Sequence, residues 1–375
     1  MSRTAWIAAA AGVSVYALEQ VAVRNWLKHH SRLIIPGILL VAILLGGVFF
    51  LKKESAIGRL HIWHMELLAI REKPLSGWGF GHEMGAYGIV QHDYFAQGGR
   101  HDVEIKMAGC PEYPVNEYLG LAIAGGIPLL LLALGAGTLC IIRLGGTPLR
   151  YGAVTLAVFA FASYPMSQPL LRAVLAVLLG AALAPNNPAG WKRLLGLAIL
   201  CIILTGTLVT AKRRKAWQEA QDAVSMLSFS KTGDYYSGLA DALGEYYPVL
   251  QHDFRYLYEY GLALHKEGAY GHSLEVLRRG VEYSCDPMFH NIIGKNLQAM
   301  GEFEEAEEAY RYASFQVPCR LYPHLLLIRL YQQTGRYDAA RKEAELALSL
   351  PVNPRNRAMQ GIREQILQEN ERLKI

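Results

Sequence analysis

The chain has 375 residues, 52% of them apolar, and a net charge of +5; only 26 of its 69 Asp, Glu, Lys and Arg fall before residue 212. That apolar content excludes intrinsic disorder, five cysteines in this length exclude a disulfide-dense secreted scaffold, and scattered basic residues argue against a nucleic-acid partner. An apolar first part and a charged second part point to a membrane protein with a polar tail.

The first stretch, TAWIAAAAGVSVYALEQVAV from Thr4, is alanine-rich and carries Glu19; it reads as a first span, with a signal peptide as its rival. Leu33 to Leu51, LIIPGILLVAILLGGVFFL, holds 19 residues without a charge. At about 1.5 Å per residue it crosses a hydrocarbon core of about 30 Å. Tyr118 to Ile142 and Leu194 to Ala211 repeat the signature, with Pro128 tolerated if neighbours re-satisfy the freed carbonyl. Residues 151–184 are apolar but interrupted at Tyr164-Pro165-Met166-Ser167-Gln168-Pro169, which predicts two short helices meeting at a polar break. The expectation is about six spans, with an orientation that the basic residues do not decide. Cys140 and Cys201 lie inside apolar runs, whereas Cys110, Cys285 and Cys319 lie outside them and allow one bridge with one thiol left over.

After Lys215 the pattern becomes amphipathic with a period near that of tetratricopeptide repeats: Gly268-Ala-Tyr270, Gly301-Glu-Phe303 and Gly335-Arg-Tyr337 lie 33 and 34 residues apart. Gly294, Ala306, Tyr310, Ala313 and Pro318 fill the small, aromatic and proline positions of one copy. Such a solenoid offers a concave surface to a protein, peptide or glycan, or serves only as a stabilising appendage. The fold class expected is all-α: a polytopic membrane domain over 1–211 with a large extracytoplasmic loop at 52–117, a linker over 212–232, and a tetratricopeptide-like solenoid over 233–375.

The loop between the second and third spans is long enough to carry function. Its run Ser76-Gly77-Trp78-Gly79-Phe80-Gly81 reads either as a phosphate cradle or as a tight turn; it lacks the Lys-Ser/Thr of a P-loop. His61, His64, His82, His92 and His101 have no accompanying Cys, Asp or Glu framework of a structural or catalytic zinc site, so no metal and no cofactor is expected. Arg3 and Arg59 lie on the loop's side of the membrane domain. They fit a clamp that grips a diphosphate and stabilises its charge as it leaves, or a pair of interfacial anchors.

Gly58-Arg59-Leu-His-Ile-Trp63, Lys73-Pro-Leu-Ser-Gly77-Trp-Gly79-Phe-Gly81 and Pro114-Val115-Asn116-Glu117-Tyr118-Leu119, in that order, resemble the O-antigen ligase and polymerase superfamily. Ser2-Arg3 and Ser163-Tyr-Pro165 are similar to an earlier helix and a later break of that family, and the tail resembles its members that end in tetratricopeptide repeats. The resemblance implies a metal-independent glycosyltransferase of a bacterial inner membrane, with the loop and tail periplasmic. It would move a polysaccharide from a polyprenyl diphosphate donor to a hydroxyl of lipid A core or another glycan. Arg3, Arg59 and Glu117 are then the implied catalytic set, and Trp63, Gly77, Gly79, Gly81, Asn116 and Tyr118 the implied substrate-binding set. Two departures bear on this. Many ligases carry a histidine before the Asn of the last motif, where this chain has Val115, leaving Glu117, Glu112, His82 or His92 to supply a base. Family members also carry further helices ahead of the Ser-Arg segment, on which Met1 directly falls, so the chain resembles a C-terminal portion. A membrane-tethered, non-catalytic repeat scaffold in envelope polysaccharide assembly, a polymerase and a protein O-oligosaccharyltransferase are the alternatives, with a protein partner for the repeats.

Overall fold

A computed structural model describes residues 3–30, 36, 53–183, 190–228, 235–351 and 356–373, excepting the side chains of residues 3, 27, 53, 190–204, 207, 226–228 and 235–237. The described chain is all-α. Helices α1 (Arg3–Glu19), α2 (Val21–His29), α3 (Lys53–Glu72), α4 (Glu83–Ala96), α5 (Asp102–Met107), α6 (Glu117–Arg143), α7 (Leu149–Phe161), α8 (Pro169–Leu183) and α9 (Gly190–Ser228) come first. They are followed by α10 (Tyr235–Gly244), α11 (Tyr247–Leu250), α12 (Phe254–Glu267), α13 (Tyr270–Val281), α14 (Met288–Met300), α15 (Phe303–Gln316), α16 (Leu321–Gln333), α17 (Tyr337–Ser349) and α18 (Arg357–Arg372).

The helices form two compact units, residues 1–78 with 113–208 and residues 79–112 with 209–375. In unit 1, α1 lies along α7, while α6 meets α3, α7 and α8. Glu19, the one acidic residue of α1, is neutralised by Arg150 and accepts a hydrogen bond from the Tyr151 hydroxyl at 2.6 Å. The expected polar break falls at a 3-10 turn, Pro165–Ser167, between α7 and α8.

The six-span membrane domain is corrected. Among the described residues one helix, α6, is long and apolar enough to cross a membrane. The apolar helices Thr4–Glu19, Leu149–Phe161 and Pro169–Leu183 are shorter; the latter two, with 13 and 15 residues, reach only about 20 Å. Hydropathy counts apolar residues wherever a helix ends, so short helices that pack on one another read like spans. The multi-pass inner-membrane placement, with loop and tail periplasmic, is corrected on the same ground. The expected span at Leu33–Leu51 lies outside the described residues, apart from residue 36.

Unit 2 gathers antiparallel helix pairs, α12 with α13, α14 with α15 and α16 with α17, each packed on the next. The first two pairs turn on glycines in left-handed conformation, Gly268 (φ 95°) and Gly301 (φ 88°), which an L side chain would strain. The core runs through Leu257, Leu277, Phe289, Tyr310, Leu325 and Ala344. The tetratricopeptide assignment is also corrected, since no signature of that repeat is identified in these hairpins. The aromatic positions that suggested it do not share one environment: Tyr270 and Phe303 are half-buried, whereas Tyr337 is 58% exposed.

Residues 79–112 fold with the tail rather than standing as a free loop. Helix α4 packs on α15, and buried Gln91 accepts from the Tyr87 hydroxyl at 2.7 Å and donates from Nε2 to the carbonyls of Gly109 (3.0 Å) and Gln316 (2.5 Å). His92 stacks on Tyr312 with ring centroids 3.8 Å apart. A disulfide between Cys110 and Cys285 fixes the segment's end, and Cys319 is the thiol left over outside the apolar runs.

Candidate functional site

The candidate site lies in unit 1, where one face of α3 meets the start of α6. Positions 59, 63 and 66 follow the i, i+4, i+7 spacing of a single helix face. Arg59, half-buried, donates from Nη1 to the Ala162 carbonyl at 3.1 Å and to Thr4 Oγ1 at 3.3 Å. It therefore ties α3 to α1 and to the C-terminal end of α7, where carbonyls lack helical donors and attract a cation. Trp63 packs edge-on against Phe161, with centroids 5.4 Å apart, and its buried Nε1 has no hydrogen-bond partner among the described residues.

Glu66 is fully buried. Its Oε1 accepts the Val115 N–H at 3.2 Å, and its Oε2 has no partner among the described residues. Burial pushes its carboxyl up to about 8, against the lowering effect of the Val115 hydrogen bond, so the group is largely protonated at neutral pH. Sequence reasoning missed this residue, because nothing in the mixed apolar and charged run GRLHIWHMELLAIRE sets Glu66 apart from Glu72. The available signal was its place one turn beyond Trp63 on the Arg59 face.

At the start of α6, Asn116 is a helix cap: its side chain accepts from the N–H groups of Tyr118 (3.0 Å) and Leu119 (3.3 Å). Glu117 accepts the Met166 N–H at 2.7 Å, fixing the 3-10 turn, and the Tyr118 hydroxyl donates to the Ala157 carbonyl at 2.8 Å. Both hold α6 against the α7–α8 segment.

Helix α6 breaks at Gly125–Gly126, and Pro128 removes another donor. The turn at residues 74–78 fills the break: Trp78 N–H donates to the Ile123 carbonyl and Ile127 N–H to the Pro74 carbonyl, each at 2.7 Å. Such contact needs bare backbones. A Cβ on Gly77 would lie 2.5 Å from the Ala124 carbonyl, and one on Gly126, at φ 74°, 2.4 Å from the Leu75 carbonyl oxygen. The indole Nε1 of Trp78 donates to the Ala69 carbonyl at 2.9 Å, returning the turn to α3.

The structure thus gathers Arg59, Trp63, Gly77, Asn116, Glu117 and Tyr118 in unit 1, while Gly79 and Gly81 belong to unit 2. The side chain of Arg3 lies outside the described residues. Of the other bases considered, Glu112 pairs with Arg255, His82 lies 3.8 Å from Glu282, and His92 lies 2.8 Å from Asp93, all in unit 2. Among the described residues no group of three or more His, Cys, Asp or Glu converges as a metal site.

No curated protein matches the chain. Residues 1–134, about a third of its length, match the family described as O-antigen ligase, a match that takes in α1 to α3, the glycine turn and most of α6.

Proposed function

We propose that the chain is an O-antigen ligase-related protein of polysaccharide assembly that works as a membrane-tethered, non-catalytic scaffold. The observation that carries this reading is the employment of the would-be catalytic groups. Arg59 is spent on Thr4 and the Ala162 carbonyl, and Glu117 on the Met166 N–H, so both act as internal struts. A diphosphate clamp would have to detach Arg59 from the Ala162 carbonyl at the end of α7, leaving that carbonyl only the longer bond from Thr4 Oγ1 at 3.5 Å. The family match supports a role among glycan donors and acceptors. Helix α6 supplies one membrane-length segment as the tether, and the hairpins of unit 2 supply the partner surface.

One observation favours the second reading, a metal-independent glycosyltransferase acting on a polyprenyl diphosphate-linked glycan. Glu66 is a buried carboxyl with an unpartnered oxygen beside the start of α6, a poise suited to proton transfer at an acceptor hydroxyl. Arg59→Ala separates the two. The scaffold reading expects stability to fall by about 1–2 kcal/mol, with surface polysaccharide tracking the amount of protein that accumulates. Loss of polysaccharide attachment by about a hundredfold at unchanged protein level would instead assign Arg59 to transition-state charge.

A further inference from the structure

In unit 1 the chain leaves α1 at Gln20, whose extended backbone (φ −69°, ψ 128°) turns it into α2. This end of α1 is also the end of α6. Tyr16 of α1 lies edge-on to Tyr151 of α7 with centroids 5.2 Å apart, Glu19 pairs with Arg150, and residues 144–148 join α7 to Arg143, the last residue of α6. Glu117 stands at the opposite end, as the first residue of α6. Glu19 is the single acidic residue in α1, α2, α7 and the 144–148 turn, and it is spent on Arg150 and Tyr151. Arg24, Lys28 and Arg143 are exposed at the same end, and no carboxylate among the described residues lies within ion-pair distance of any of them. Helix α2 sets two chemistries on two sides: Arg24 and Lys28 one turn apart with Asn25 and His29 beside them, and Val23 with Trp26 opposite. Trp26 stacks on His30 at 4.7 Å and is still 52% exposed.

We infer that α2 is an interfacial helix that binds anionic membrane lipids, with Arg24 and Lys28 on their headgroups and Trp26 at the boundary between headgroups and acyl chains. Three observations converge on a charged lipid surface. Arg24 is the fourth residue of α2, near the helix's positive end, where a cation is unfavourable unless an anion lies close by, and the fold supplies none there. An exposed tryptophan opposite a cationic face is the composition of helices that lie in the membrane interface. The level is also right: the 27 residues of α6 run about 40 Å, enough to cross the hydrocarbon and carry Arg143 into the headgroup layer where α2 begins. An acidic protein would answer Arg24 and Lys28 but gives no reason for their place at the end of a membrane-length helix. The presence of lipid rests on the reading of α6 as a tether; the preference for anionic over neutral lipid rests on the charges of α2.

The test uses the full chain in nanodiscs of phosphatidylcholine with a rising share of brominated phosphatidylglycerol or brominated phosphatidylcholine, which quench a nearby indole. The difference in quenching between the parent and Trp26→Phe isolates Trp26 from the other tryptophans. A basic residue near an anionic surface is worth about fivefold in binding, so half-quenching of Trp26 is expected at a share of phosphatidylglycerol at least about fivefold below that of phosphatidylcholine. Added salt should shrink the ratio. Replacing both Arg24→Gln and Lys28→Gln, exposed positions in a helix that glutamine suits, should bring it within about twofold of unity. The inference is overturned if neither lipid quenches Trp26, if both quench it at equal shares in the parent, or if the double variant keeps the parent's preference. Failure of the chain to enter the bilayer overturns the tether reading and this inference with it; entry followed by any of those three results overturns this inference alone.

Discussion

Replacing Glu66 by Gln should remove a destabilisation that grows as the pH rises. The folded carboxyl titrates near 8 against an ordinary value of 4.5 because burial disfavours its charge. Below about pH 4.5 both the folded and unfolded forms are protonated, so the group costs nothing. Between 4.5 and 8 the unfolded carboxyl has lost its proton while the folded one keeps it, and stability falls by about 1.4 kcal/mol for each pH unit. Above 8 both are ionised and the loss levels off. At pH 7 the penalty is therefore about 3 kcal/mol. Glutamine retains the shape and can still accept the Val115 N–H, but its amide places a donor where Oε2 now stands unpaired, a pH-independent offset of about 1–3 kcal/mol. The discriminating quantity is thus the slope. Urea unfolding in detergent, followed by intrinsic tryptophan fluorescence, should show the stability of Glu66→Gln relative to the parent rising by about 3 kcal/mol from about pH 5 to about pH 7.5. A difference that stays flat over that range would mean that the carboxyl is hydrated and ionised in the folded protein, and the buried-acid argument would be refuted.

Gly126→Ala should destabilise unit 1 by about 1–3 kcal/mol, because it forces both a left-handed residue and a clash with the 74–78 turn; a melting temperature equal to the parent's would contradict the contact. Asn116→Ala should cost about 1 kcal/mol through loss of the α6 cap, while Asn116→Asp should be tolerated, as measured by denaturant midpoints. Cys285→Ser, or a reductant on the parent, should lower the stability of unit 2 by about 2–4 kcal/mol. Cys319→Ser should leave the effect of the reductant unchanged.

Much of the helical content was legible because it depends on local chemistry. The interruption at residues 164–169 contains two prolines, and it separates α7 from α8 where expected. Glycines at 268 and 301 end helices because left-handed backbone suits them. Span number was not legible, since an apolar window does not distinguish a residue facing lipid from one facing another helix: Gly12 of α1 lies against Thr155 of α7. The site was legible in its residue types but not in their duties. Asn116, Glu117 and Tyr118 stood out as a motif, yet each makes a bond that holds α6 in place, and a bond to a distant carbonyl such as Ala162 leaves no mark on the residues around Arg59. The docking of residues 79–112 onto the tail is likewise non-local, and three cysteines outside the apolar runs were its only trace.

The Cys110–Cys285 bridge closes the polypeptide between those positions into a covalent ring, with 175 residues separating its ends. A protease that nicks the backbone once anywhere inside that ring produces no free fragment. The two pieces migrate as one species on a non-reducing gel and part only when a thiol opens the link, so integrity judged by size alone would hide the cut.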